Sequence, residues 1–380
     1  MTALAKRASA VALCALPSTE PPPTQCPRKG QFCWPEACCA NQHEHEREFA
    51  LRQTGTSFAR LLTASVALGI SAQASADISI PYQLVDTFTL PENSYDLLPD
   101  GRLIGIDGTG AVSLQTAPNA STYSVVGNIG QVNSSGFDPA FVSVSPDGST
   151  IAVGNNEFNA NNAVLFFDAA AATSGNATAL SSIVTPNFAA DWSDNDTLYV
   201  SGADSSTFDT LVNRLDVQAG TSTGVLGPAG AFSGDVRVFD GNVYAGEGDT
   251  GDVYAFDLAT LDAATNPVDV QTGTFIESST SAGSIDFDNL GNIIIAGGVF
   301  DFGTGQTSGS ATVFDLSSSG SQVLVPAGTD TFYGAYFNDT TGQLVVTAAG
   351  TAYVYAVPAP SAAAPMALAL VACRRRRRTR

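Results

Sequence analysis

The chain has 380 residues, with 36 acidic against 16 basic side chains and 6 cysteines. These totals conceal a partition: from Asp77 to Val357 there is no Cys, His or Lys, and three Arg (Arg102, Arg214, Arg237) stand against 31 Asp and Glu, a net charge of −28. Such a region repels phosphate backbones, which makes nucleic acid and anionic membranes poor partners, and no nucleic-acid partner is expected. It also lacks the imidazole, thiol and amine needed for a Ser-His-Asp triad, a Cys nucleophile, a Schiff base or a His/Cys zinc site.

Residues 1–50 are rich in Pro and Cys and carry the only two His, His43 and His45. Cys26, Cys33, Cys38 and Cys39 do not form the paired C-x2-C spacing of a zinc knuckle. The segment reads as an unstructured extension or as the product of a mis-assigned start, with translation beginning near Leu51. Residues 51–76 have the grammar of a secretory signal: Arg52 and Arg60 precede the apolar run Leu61 to Ile70, which ends in Ala74-Ser75-Ala76. That run is too short for the roughly 20 residues of a membrane-spanning helix, and the A-x-A pattern places cleavage after Ala76. The mature chain is expected to begin at Asp77.

Residues 77–357 show β-branched and aromatic runs separated by Asp, Asn and Gly clusters, and no helical period. One turn recurs as Leu98-Pro-Asp-Gly101, Ser145-Pro-Asp-Gly148, Ser193-Asp-Asn195, Phe239-Asp-Gly241, Asp288-Asn-Leu-Gly291 and Asn338-Asp-Thr-Thr-Gly342. The turns are spaced by about 46 to 51 residues, a propeller-type period. A β run follows each, such as Thr150-Ile-Ala-Val and Gln343-Leu-Val-Val-Thr. The next strand ends in Phe167-Asp168, Leu215-Asp216, Phe256-Asp257 or Phe314-Asp315 in four of the repeats. These aspartates are expected to bond backbone amides two residues on, a structural role.

Six units of about four strands are predicted. The last, Tyr333 to Val357, holds only three, and the run Gln83 to Leu90 is expected to supply the fourth by pairing with the strand around Ala352 to Ala356. Closure of that kind removes exposed edges. The fold class is therefore all-β, a six-bladed β-propeller of four-stranded blades closed by an N-terminal strand. Seven blades or an open β-solenoid remain as alternatives. Ser145-Pro-Asp-Gly-Ser-Thr-Ile-Ala-Val and Asp286-Phe-Asp-Asn-Leu-Gly-Asn-Ile-Ile-Ile-Ala resemble blades of the YVTN, NHL and gluconolactonase-like propellers. That resemblance implies architecture and leaves function open.

Carboxylates are the remaining reactive groups. Asp96, Asp191, Asp235 and Asp286 fall on the first strand of their blades, nearest the axis, and are the candidates for a glycosidase-type pair or a calcium site. Asp191-Trp-Ser-Asp-Asn-Asp196 and the run from Asp286 do not match an EF-hand loop, because Gly297 stands where the latter would need its final Glu. No catalytic or cofactor-binding residue is assigned, and calcium is the one cofactor the composition admits.

Residues 358–380 follow Val357 with Pro358-Ala359-Pro360, an apolar run from Ser361 to Cys373, and five arginines, Arg374 to Arg378. This order resembles the PEP-CTERM sorting signal, with Ala359 where that family has Glu. The resemblance implies recognition by an exosortase-type peptidase at Val357, Pro358 and Pro360, with transient membrane anchoring and the cluster from Arg374 held on the cytoplasmic side. Taken together, the chain is expected to be exported to the cell surface or extracellular matrix as a monomeric, non-enzymatic binding or structural module. Extracellular polysaccharide or a surface protein is the expected partner. A calcium- or carboxylate-dependent hydrolase of lactonase or glycosidase type is the alternative.

Overall fold

The computed structural model describes residues 76–77, 81–157, 161–204, 209–229, 233–248, 250–301, 306–325 and 333–357. Ala74, Pro358, Pro360 and Arg374, with the rest of the leader and tail, lie outside them. Among the described residues no helix is long and apolar enough to cross a membrane.

Six antiparallel sheets follow one another along the chain. Blade 1 consists of Tyr95–Leu97, Leu103–Ile106, Ala111–Gln115 and Tyr123–Asn128. Blade 2 consists of Val142–Val144, Thr150–Gly154, Ala163–Asp168 and Ser181–Val184. Blade 3 runs from Ala189–Trp192 through Thr197–Ala203 and Thr210–Asp216 to Thr221–Ala229, and blade 4 from Ser233–Phe239 through Asn242–Glu247 and Asp252–Asp257 to Thr274–Ser278. Blade 5 has Ser284–Phe287, Ile293–Asp301, Gln306–Asp315 and Gly320–Val325, with Ala76–Asp77 added in parallel to its last strand. Blade 6 has Tyr333–Asn338, Gln343–Ala348 and Thr351–Ala356, and its outermost strand is Gln83–Thr89.

The closure expected from the incomplete last repeat is present. Gln83 pairs with Ala356 and Thr89 with Thr351, across a bulge between Leu84 and Asp86. The segment before this strand is pinned to blade 5. Tyr82 donates its hydroxyl to Asp288, its backbone N–H and C=O engage the Gln322 side chain, and Asn292 Nδ2 donates to its hydroxyl oxygen at 2.7 Å.

Packing explains the long apolar runs after each turn. The second strand of a blade is covered on both faces by neighbouring blades, so it has no polar side: Ile151–Val153, Leu198–Val200, Ile293–Ile295 and Leu344–Val346 are essentially without exposure. The interior is accordingly six apolar clusters, one in each seam between successive blades. Ile104 and Ile151 share one, Phe166 and Leu198 the next, Tyr199 and Val243 the third, Tyr244 and Ile293 the fourth, Ile294 and Leu344 the fifth, and Val345 and Leu103 the sixth.

The recurring turns join the first and second strands. Five of them place a glycine in the left-handed region: Gly101, Gly148, Gly241, Gly291 and Gly342, with φ between 65° and 81°. The turn of blade 3 has no glycine, and Asp194 Oδ1 there accepts the amides of Asp196 and Thr197 instead.

The connections after the third strands differ in detail from expectation. Asp168 and Asp257 cap short helices, α1 (Ala169–Ala172) and α2 (Leu258–Asp262), accepting the amides of Ala171 and Thr260 three residues on. Asp216 accepts from Ala219, and Asp315 from both Ser317 and Ser318. The role is structural, but the turn is often longer than two residues. A single helical turn gives no 3.6-residue period in the sequence, so these helices carry no periodic signal.

Candidate functional site

The first strands of the blades line the axis, and in a strand alternate side chains share one face. The pairing register defines one ring of equivalent positions: Asp96 opposite Ile104, Ser143 opposite Ala152, Asp191 opposite Tyr199, Arg237 opposite Tyr244, Asp286 opposite Ile294 and Tyr336 opposite Val345. Asp235 lies on the same face of its strand as Arg237, two residues earlier. The four aspartates singled out from the sequence are thus all axial. Sequence reasoning missed Arg237, Ser143 and Tyr336, although each lies at the same offset before its turn as Asp96, Asp191 and Asp286.

Each carboxylate is used twice. Its Oδ1 accepts the amide of the following residue: Leu97 at 2.7 Å, Trp192 at 3.0 Å, Val236 at 2.8 Å and Phe287 at 2.8 Å. Its Oδ2 crosses to the next blade. Asp96 accepts from Val144 at 2.6 Å, Asp191 from Val238 at 2.7 Å, Asp235 from Ile285 at 2.6 Å and Asp286 from Phe337 at 2.5 Å. Such a contact satisfies an amide that no neighbouring strand reaches, and charge-assisted bonds of this kind are about twice as strong as neutral ones. The four aspartates therefore latch blade 1 to 2, 3 to 4, 4 to 5 and 5 to 6.

Arg237 projects between its two neighbours in the ring. Its Nη2 lies 2.8 Å from Asp286 Oδ1 and its Nη1 3.4 Å from Asp191 Oδ1. Burial alone would lower the guanidinium pKa. The carboxylates of Asp191, Asp286, Asp96 and Asp235 outweigh burial and hold it firmly charged. Burial also raises the carboxyls. Asp96 and Asp235, which bond only backbone amides, are pushed up to about 7, while Asp191 and Asp286 rise against the pull of Arg237. Arg237 Nε and the Tyr336 hydroxyl are buried with no hydrogen-bond partner among the described residues.

The ring forms a waist between two chambers. One, of about 370 Å³, opens among the recurring turns and is lined by Pro99, Pro146 and Thr340. The other, of about 320 Å³, opens on the opposite face. Its wall includes Asn93, Phe141 and Ser284, and at its mouth stands Phe188, 38% exposed. A side pocket continues from Phe188 past Asn156 and Asp138 to Phe137, which is 65% exposed. Among the described residues no three Asp, Glu, His or Cys side chains come together in a way that could hold a metal ion. The acids converge on Arg237 instead.

No protein-family model matches the chain, and no curated protein sequence does. Among solved structures, a chain from a crystal structure of the Mitotic Checkpoint Complex aligns over 80% of this chain and 100% of its own length, with a TM-score of 0.48 and 15% identity. The WD40 β-propeller domain of Doa1 aligns over 73% of this chain and 97% of its own, with a TM-score of 0.44 and 12% identity. BamB from Moraxella catarrhalis aligns over 73% and 98%, with a TM-score of 0.37 and 14% identity. Likenesses this distant leave the function to be read from the site itself.

Proposed function

We propose that this chain is an exported, surface- or matrix-associated propeller that acts as a non-enzymatic binding or structural module. The observation that carries the non-enzymatic part is the double use of every axial carboxylate. Each has one oxygen on its own strand and the other on the next blade, so holding the seams is enough to account for its placement. The 320 Å³ chamber and the side pocket beside it are the site offered to a ligand, with Phe188 and Asn93 between the two and Phe137 and Asn156 in the side pocket. Rims of this composition suit a polyhydroxylated chain such as an extracellular polysaccharide, whose sugar faces stack on aromatic rings.

Export and sorting rest on the two ends of the sequence, Ala74-Ser75-Ala76 and Val357-Pro358-Ala359-Pro360 with its arginine cluster. In a host with a matching sortase, mass spectrometry of the surface form is expected to show a chain starting at Asp77 and lacking the residues from Arg374 onward. A surface protein with an intact C-terminus would end the sorting proposal.

A second reading keeps one specific support: Asp96 and Asp235, both with carboxyls near 7, line the same chamber, and groups so tuned suit acid-base catalysis. A thermal-shift and turnover panel on the full-length chain with polysaccharides, lactones and calcium separates the two. Stabilisation by a polysaccharide without turnover supports the binding module. Hydrolysis of a lactone or glycoside that is lost in Asp96→Asn and Asp235→Asn would replace it.

A further inference from the structure

The outermost strand of each blade is a sheet edge, with one row of backbone N–H and C=O groups turned away from its neighbour. An unprotected edge of this kind invites a further strand. Five of the six edges are protected. On blade 1, Asn128 is bonded by Gly175 and Ala177, from the connection leading to the last strand of blade 2. On blade 3, Val225 and Gly227 are bonded by Val268. Blade 5 carries Ala76–Asp77 alongside Gly320 and Ser321. The edge strands of blades 4 and 6 each hold a carboxylate, Glu277 and Asp86. In all five the pairing of the edge strand also contains a bulge, which bends an edge away from a would-be partner.

Blade 2 has none of these devices. Ser181–Val184 pairs with Ala163–Phe166 in unbroken register, and among the described residues no strand or bridge lies beyond it. No charged side chain occurs from Ala169 to Ala190, nor from Val217 to Gly234, which includes the outer strand of blade 3. Ser222 Oγ on that strand lies 3.5 Å from Thr185 Oγ1, so the uncharged stretch continues from one blade to the next. Leu180 and Val184, at the two ends of the bare edge, are 69% and 68% exposed.

We propose that the edge of blade 2 is an interface between two copies of this chain, its strand pairing antiparallel with the same strand of a second copy and joining two four-stranded blades into one sheet. Charge selects this occupant. Two domains of net charge −28 repel wherever their acids meet, and the uncharged edge lets them approach. A closed pair of identical strands lying side by side has two-fold symmetry and is antiparallel. Centred on Ser182 and Ile183, it sets Ser181 of one copy opposite Val184 of the other and Leu180 opposite Thr185. The fold accepts main-chain additions of this kind, since Ala76–Asp77 adds to the edge of blade 5. So short a strand makes a small contact, and the dimer is therefore weak and dependent on concentration.

The test uses the full-length chain under reducing conditions, so that its cysteines form no cross-links. Sedimentation equilibrium from about 1 to about 100 µM is expected to show reversible monomer–dimer exchange. The dimer fraction should rise roughly twofold between about 50 mM and about 0.5 M sodium chloride, as the repulsion is screened. Leu180→Glu with Val184→Glu brings carboxylates from both copies into the contact and is expected to abolish the dimer. Phe275→Glu, on the edge of blade 4, is expected to leave it unchanged. All three side chains are exposed, so each variant should keep a Tm within about 2 °C of the parent. Hydrogen exchange needs no variant: in the parent, the Ser181–Val184 amides should slow at least about threefold at the high concentration, and those of Thr274–Ser278 should not. A parent that stays monomeric at the highest concentration and salt overturns the proposal, as does a dimer that survives the double variant. Slow exchange at Ser181–Val184 that is the same at both concentrations, in a monomer, would give the edge to the leader or tail of the same chain and overturns it as well.

Discussion

The six seams of this propeller are held in two ways. Four of them, 1/2, 3/4, 4/5 and 5/6, carry an aspartate that reaches across the axis side to an amide of the next blade. The other two have Ser143 and Tyr336 at the equivalent ring position, and side-chain packing joins them without an aspartate latch. At seam 2/3 the rings of Phe166 and Trp192 meet edge-on at 6.2 Å. At seam 6/1, where the ring closes, Tyr336 meets Tyr95 at 5.8 Å, and Tyr95 donates its hydroxyl to Thr347. A latch to the backbone depends on charge state and solvent, whereas an apolar seam depends on shape and buried area. The first kind should respond to pH and the second should not.

The largest effect is expected at the closing seam. Deleting 83–89 removes the outermost strand of blade 6 and the buried Phe88 with it. Differential scanning calorimetry is expected to show loss of the single cooperative transition. A variant that keeps that transition and merely frays at one end would show that the ring does not depend on its clasp. Next comes Trp192→Ala at the apolar seam 2/3. Trp192 is 6% exposed and its indole N–H has no partner among the described residues, so the loss is one of packing, about 3–5 kcal/mol. Urea titrations at pH 5 and pH 8 should give the same cost.

Asp286→Ala probes a latched seam. It strips the Phe337 amide of its acceptor and Arg237 of its nearer carboxylate, for a loss of about 3 kcal/mol in the same titration. Unlike the tryptophan variant, its cost should change with pH. The smallest effect is the contribution of Asp96 and Asp235. Their folded carboxyls sit near 7, against 3.8 for the free group. Between those values the folded chain holds protons that the unfolded chain has released, so folding is favoured as pH falls from 8 to 5 and the gain is lost above 7. General repulsion in so acidic a domain acts in the same direction, so the diagnostic is a difference. Asp96→Asn with Asp235→Asn should flatten the Tm profile over this range by roughly 3 °C relative to the parent. An unchanged slope would detach these two groups from the pH response.

Much of this was legible in the sequence. The recurring Asp-Gly turns marked the hairpins, the apolar runs after them marked strands covered on both faces, and the missing strand of the last repeat pointed to Gln83–Thr89. Asp96, Asp191, Asp235 and Asp286 were recognised as axial because they precede those turns. Their partners were not legible: an amide in the next blade, some 47 to 51 residues on, leaves no mark in local pattern. Arg237 stands at the same offset, Arg237-Val-Phe-Asp-Gly against Asp286-Phe-Asp-Asn-Leu-Gly, but its role depends on carboxylates brought from other blades, which no local pattern marks. The single-turn helices after Asp168 and Asp257 were missed because four or five residues are too few to show a helical period.

The central claim, that the axial acids join one blade to the next, is tested most directly by native-state hydrogen exchange at the amides they accept. In the parent, the amides of Val144, Val238, Ile285 and Phe337 should all be protected. In Asp191→Ala, read by NMR, the protection of Val238 should fall at least tenfold, the equivalent of about 1.4 kcal/mol, and by clearly more than that of Ile285, whose acceptor is Asp235. Equal protection at Val238 in parent and variant would contradict the account, since it would mean that the Asp191 carboxylate does not hold blade 3 to blade 4.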